Sequence, residues 1–290
     1  MTYSLTNGTT SSKNVKEDIG ERPMSQYRLV SSLLSHTGKE GKLVPDKDGY
    51  YTVTLGALNA FNGSGHRYTA ERETIDLYER SSALQRRIKR GALYAEYMHP
   101  SMKPGMKPED FYRRVFEIDG DRVCAHISEI WLDFDFGKNN PNIASPDTIA
   151  VRGKIKPWGP FGYIVKEALE NTKGNFAFSV RGLTDDVMSP SGILMRALRF
   201  IVTYDFVLEP GIAYADRHTS PSLESHPGLE DLIDEIVDPS LLTSALNSSL
   251  DNVALESSVK EVYREVLEVI DNKKEKFEPY VPNIFNKWKQ

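Results

Sequence analysis

Between residues 25 and 210 the chain is a succession of short runs rich in β-branched and aromatic residues, most of them closed by Gly, Pro or Asp. Such a chain must build its core on a sheet, because these residue types pack well on a pleated surface and the punctuation leaves little room for long helices. Asp48-Gly49 is a turn signal before a strand over 50–55. A second strand over 92–97 runs into His99-Pro100, and Pro100 with Lys103-Pro104-Gly105 ends it. Residues 116–136 read as strand, turn and strand around Asp119-Gly120-Asp121. Further strands are expected over 151–158, 176–181 and 198–208.

Two helices interrupt this pattern. Residues 71–89 contain neither Gly nor Pro and end before Gly91, a suitable C-cap. Pro160 opens a shorter helix, with Ile164, Val165, Ala168 and Leu169 as its apolar face. The expectation is an α+β domain on a mainly antiparallel sheet or barrel. Composition changes after Asp216, where residues 219–227 are rich in Ser, Pro and His. Beyond them Leu229, Leu232, Ile233 and Ile236, and later Val259, Val262, Tyr263, Val266 and Ile270, recur at helical spacing. The reading is a polar leader over 1–22, a domain over 23–215, and a linker with amphipathic helices over 216–290.

Charge and cysteine content narrow the functions. The formal charge is −5 and the pI about 5.8, which argues against general nucleic-acid binding. No apolar run is long enough to cross a membrane, and the polar N-terminus is not a secretory signal. A single cysteine, Cys124 between Val123 and Ala125, makes no internal disulfide and suits a reducing compartment. Phosphate-binding glycine loops and Cys/His metal clusters are absent from the sequence.

Nucleophilic hydrolysis needs a hydroxyl or thiol, a base and an orienting group. His99 stands at a strand end, where Pro100 favours an extended backbone. In Phe176-Ala177-Phe178-Ser179-Val180-Arg181-Gly182, alternation puts Ser179 and Arg181 on one face, with Gly182 permitting a turn. That arrangement offers a hydroxyl beside a positive charge, as an oxyanion site requires. Asp205, in an aromatic and β-branched strand, needs a histidine or arginine partner. Asp133 and Asp135 are two apart on a strand and suit a divalent metal; Lys154 and Lys156 likewise share a face and suit a Ser–Lys dyad. For each of these residues a structural role competes with the chemical one.

The order of these elements resembles the prohead proteases of tailed phages. Ala95-Glu96-Tyr97-Met98-His99-Pro100 resembles a family strand reading Gly-Glu-Leu-x-His-Pro, and Ser179-Val180-Arg181-Gly182 resembles a nucleophile strand reading Ser-Ser-Arg-Gly. Between them Val151-Arg152-Gly153-Lys154-Ile155, with Pro160 and Gly162, is similar to the family's strand-to-helix segment; Ile201-Val202-Thr203-Tyr204-Asp205-Phe206-Val207 is similar to its closing strand. Ala95 replaces a usual glycine and Val180 a common serine. The resemblance covers residues 90–212. It implies the assemblin fold of herpesvirus capsid proteases, a β-barrel surrounded by helices. It also implies a serine endopeptidase that cuts scaffold, core and major capsid proteins inside the prohead, in the cytoplasm of the bacterial host.

On that resemblance Ser179 is the nucleophile, His99 the base and Asp205 the third member, with Glu209 and His218 as substitutes. Arg181 and Gly182 would serve the oxyanion or substrate. No cofactor, membrane or nucleic-acid partner is implied, and a homo-oligomer is. Related proteases often cut after Glu, and Ser222-Leu223-Glu224 and Ala254-Leu255-Glu256 fit this, so Glu224 and Glu256 are candidate self-cleavage sites; Ala168-Leu169-Glu170 also fits, within a core helix. Two other readings are a noncatalytic head scaffold or assembly protein retaining the fold, and a metal hydrolase built on Asp133 and Asp135.

Overall fold

The structure is a computed structural model that describes residues 26–35, 43–62, 64–141, 144–171, 176–208 and 234–276. Its elements in chain order are β1 (Gln26–Ser35), β2 (Tyr51–Leu58), β3 (Ala60–Phe61), β4 (Arg67–Tyr68), α1 (Arg72–Asp76), α2 (Ala83–Lys89), β5 (Tyr94–Glu96), α3 (Pro108–Phe116), β6 (Val123–Asp133), α4 (Phe136–Asn139), β7 (Ile149–Pro157), α5 (Gly162–Glu170), β8 (Ala177–Met188), β9 (Leu194–Val207), β10 (Asp234–Ile236), α6 (Pro239–Leu250) and α7 (Ser257–Lys276).

The strands form two sheets, ordered β10-β1-β8-β9-β4-β3 and β2-β7-β6-β5. Pairing is antiparallel except between β4 and β9. The sheets enclose a core that includes Val53, Leu55, Ile127, Val151, Ile155, Phe178, Tyr204 and Phe206, with Val165 and Leu169 of α5 added to it. The α+β class thus stands, but among the described residues the ladders do not close into one barrel. The sheets approach where Tyr97 bridges Phe206 in parallel and the Met98 N–H donates to the Phe206 carbonyl at 2.8 Å. Met98 has a left-handed backbone (φ 60°), which turns the chain away and ends the pairing at that point.

A bulge gives the molecule its second core. Arg181 pairs with Thr203 and Gly182 with Ile201, so Val202 is the extra residue of β9. Tyr204 and Phe206 therefore point into the first core, whereas Phe200 and Val202 join the second. There they meet Phe111, Tyr112, Val115 and Phe116 of α3, Leu242 and Leu246 of α6, and Val262, Tyr263, Val266 and Ile270 of α7. The helices expected beyond residue 215 thus share a core with the strands that carry Ser179 and Asp205. Arg86–Glu265 at 2.5 Å and Arg90–Glu261 at 2.6 Å tie α7 to α2.

Several expected elements differ. The helix over 71–89 is broken into α1 and α2, because the Ser82 side chain caps α2 by accepting from the Gln85 N–H. Helix α3 fills a stretch for which no element was expected, and the first strand expected from residue 116 does not form: Pro108 opens the helix, which runs to Phe116, and its buried residues recur at helical spacing. The segment 176–181 does not turn at Gly182 but continues as β8 to Met188. Ile236 lies in β10, paired with Arg28, rather than on a helix.

Candidate active site

Ser179 and Asp205 are direct partners across the β8–β9 ladder. The Thr203 hydroxyl donates to the Tyr94 carbonyl at 2.6 Å and fastens β5 beside β9. The segment after β5 then passes over β9, and His99 Nδ1 lies 2.9 Å from Asp205 Oδ2. An ionised carboxylate can only accept, so Nδ1–H donates and Nε2 carries the lone pair of a base. His99 Nε2 and Ser179 Oγ are both buried and have no hydrogen-bond partner among the described residues. Buried polar atoms are nearly always satisfied, so two orphans, one on the strand partner of Asp205 and one on its hydrogen-bond partner, make this the candidate site.

Asp205 is fully buried, and burial alone would raise its affinity for a proton. The Arg181 guanidinium, the hydrogen bond from His99 and the Glu96 N–H oppose this, and the carboxyl is held below its ordinary range. Arg181 Nε stands 2.9 Å from Asp205 Oδ2 and its Nη2 3.2 Å from Oδ1, while the Glu96 N–H donates to Oδ1 at 3.0 Å. Asp205 thus stays ionised beside His99, the state needed to balance an imidazolium.

Arg181 does not stand where it was expected. Its side chain is fully buried; besides Asp205 it reaches Glu96 Oε1 at 3.1 Å and donates through Nη1 to the Glu117 carbonyl at 3.2 Å. Two of its nitrogens thus lie within ion-pair distance of carboxylates and the third donates to a backbone carbonyl, which supports an anchor for Asp205 rather than an oxyanion donor. Gly182 is also not a turn: a Cβ there would lie 2.1 Å from the Phe200 carbonyl oxygen, so the glycine is needed for close strand contact at the bulge.

Other candidates fall outside this cluster. Asp133 ends β6 and pairs with Arg152 at 3.1 Å; Asp135 lies beyond the strand and pairs with Lys138 at 3.1 Å. The two aspartates therefore do not share a strand face, and no cluster suited to a metal ion occurs among the described residues. Lys154 pairs with Glu129 at 2.9 Å and Lys156 donates to the Asp48 carbonyl at 3.0 Å, in the sheet that does not carry Ser179. Cys124 is a free core thiol, pushed well up in pKa mainly by burial and then by the Asp205 charge. Glu256 lies exposed just before α7, in the connection from α6. Glu209, His218 and Glu224 lie outside the described residues.

One participant was missed in the sequence. Glu96 is fully buried: its carboxylate accepts from Arg114 Nη1 at 3.0 Å and from the Asp119 N–H at 2.8 Å, in addition to Arg181. The signal was there, an acid inside the apolar strand leading to His99-Pro100.

The model of the Peptidase S80 family matches residues 29–266. A "Capsid maturation protease" of Pseudomonas phage phiKZ is 37% identical over 213 residues, covering 71% of this chain and 74% of the relative. Among solved structures, the bacteriophage T4 capsid assembly protease aligns with a TM-score of 0.41 and 12% identity, over 63% of this chain and 99% of that one.

Proposed function

The chain belongs to the Peptidase S80 family, and on that premise we propose that it is a serine endopeptidase of phage head maturation, with Ser179, His99 and Asp205 as its triad. The observation that carries the reading is the His99–Asp205 contact at 2.9 Å, on the strand partner of a buried, unpartnered Ser179. The phiKZ relative's description supports the biological setting. Asp205 is preferred to Glu209 and His218 as the third member because it already holds the base.

In this mechanism His99 Nε2 takes the proton of Ser179 Oγ as the oxygen attacks a peptide carbonyl. The imidazolium formed is stabilised by Asp205, then gives its proton to the leaving amine, and an acyl-enzyme remains. Water, deprotonated by the same nitrogen, releases the acid product. The step needs no metal. The substrates proposed are scaffold, core and major capsid proteins, cut after Glu inside the prohead, by a homo-oligomer. Self-cleavage after Glu256 is part of the proposal; its exposed connection suits a protease, whereas the Glu170 site has Leu169 fully buried before it.

The test is a paired incubation of the intact chain and Ser179→Ala, read by mass spectrometry with and without a chelator. Trimming after Glu by the wild type alone, unaffected by chelator, is the expected result. Identical trimming of both proteins removes Ser179 from the mechanism; head assembly proceeding fully with Ser179→Ala favours the noncatalytic assembly protein.

A further inference from the structure

Glu96 lies next to the proposed triad without belonging to it, and its contacts are too specific for a strand residue that merely fills space. Its side chain is wholly inside the protein, where an ionised carboxylate persists only if it is fully paired. Oxygen Oε1 accepts from Arg181 at 3.1 Å, from Arg114 at 3.0 Å and from the Asp119 N–H at 2.8 Å. Oxygen Oε2 meets Arg114 Nη2, with Arg122 Nε 3.9 Å away. Meanwhile the Glu96 N–H donates to Asp205 Oδ1. One residue therefore grips Asp205 twice, directly through its amide and indirectly through Arg181.

We propose that Glu96 is a positioning residue for the reaction: its carboxylate shares Arg181 with Asp205, and so sets how the guanidinium stands against the carboxylate that orients His99. The inference rests on the triad assigned above. The groups around Asp205 are Arg181 on β8, His99 and Glu96 on β5 and its continuation, and Cys124 on β6; Arg114 on α3 and Arg122 lie behind Glu96. Arg181 stands between Glu96 and Asp205. Removing the charge of Glu96 lets Arg181 settle wholly on Asp205, which weakens the hold of Asp205 on the imidazolium. Removing Arg114 does the reverse, because Glu96 then draws Arg181 away from Asp205.

These opposite effects make a test that a merely structural ion pair would not pass. The readout is the rate at which a fluorophosphonate probe labels Ser179, followed against pH in the full chain. Glu96→Gln is expected to label about tenfold more slowly at the plateau, with the acidic limb moved down by about half a pH unit. Arg114→Gln is expected to move the acidic limb up by about the same amount. Arg114 is partly exposed (19%), so this second variant serves if Glu96→Gln does not fold. Lowered melting temperatures with unchanged plateau and limb in whichever variants fold would overturn the proposal. Should the wild type label but Ser179→Ala label equally, the triad reading itself fails and the positioning role falls with it.

Discussion

Ser179 and Asp205 face each other as Cα partners across two neighbouring strands, so the proposed nucleophile and acid are fixed by one hydrogen-bonded ladder. His99 is supplied from elsewhere, by the segment that crosses β9 at the Tyr97–Phe206 bridge. Two members of the site thus have the rigidity of the sheet, and the third depends on the short junction between the sheets.

Replacing Ser179 by alanine should abolish hydrolysis without harming the fold. Its hydroxyl is buried with no hydrogen-bond partner among the described residues, so its removal relieves an unsatisfied group. The melting temperature is expected to stay level or rise while self-trimming falls by a factor of about 10⁴ or more. Calorimetry and mass spectrometry on the same sample check both parts.

Asp205→Asn and Asp205→Ala should separate catalysis from stability. The amide keeps the shape but loses the charge opposite His99, with a loss in rate of about 10⁴-fold expected. Both leave the Arg181 charge short of a partner, and alanine also removes the oxygens that accept from Arg181, His99 and the Glu96 N–H, at a cost of about 3–5 kcal/mol in urea unfolding.

Asp205 also sets an acid limit. Its carboxyl is depressed in the folded protein by Arg181, His99 and the Glu96 N–H, against the opposing effect of burial. The stability it contributes is therefore complete above the ordinary carboxylate range, near pH 4, and is lost as pH falls through the lower folded value. Asp205→Asn should accordingly show a shallower loss of stability below about pH 4 than the wild type, measured by denaturant titration.

Gly182→Ala should destabilise the protein by about 1–3 kcal/mol, because the new methyl group meets the Phe200 carbonyl at 2.1 Å and one strand must shift. Gly120→Ala, where no atom lies within 4 Å and the backbone is not left-handed, is the control and should change little. Melting curves distinguish the two.

Much of the site was legible in the sequence because it depends on local pattern. Pro100 marked the end of the histidine segment, and alternation put Ser179 and Arg181 on one face. Alternation did not reveal where Arg181 points, since that depends on Glu96 and Asp205 arriving from other strands. The bulge at Val202 was equally hidden: an extra residue leaves no mark in composition, yet it decides which aromatic residues enter which core. Helix α3 was readable, with Phe111, Tyr112, Val115 and Phe116 at helical spacing, but the expectation for this region began only at residue 116, with a hairpin around Asp119-Gly120-Asp121.

The burial of α7 bears on what a single cut could do. Scission after Glu256 would break the covalent link, yet Val262, Tyr263, Val266 and Ile270 would still be packed inside the second core. Four such side chains contribute roughly 6–12 kcal/mol of burial before entropy is subtracted. The immediate product is then a nicked two-chain complex, which denaturing electrophoresis resolves into fragments and gel filtration does not.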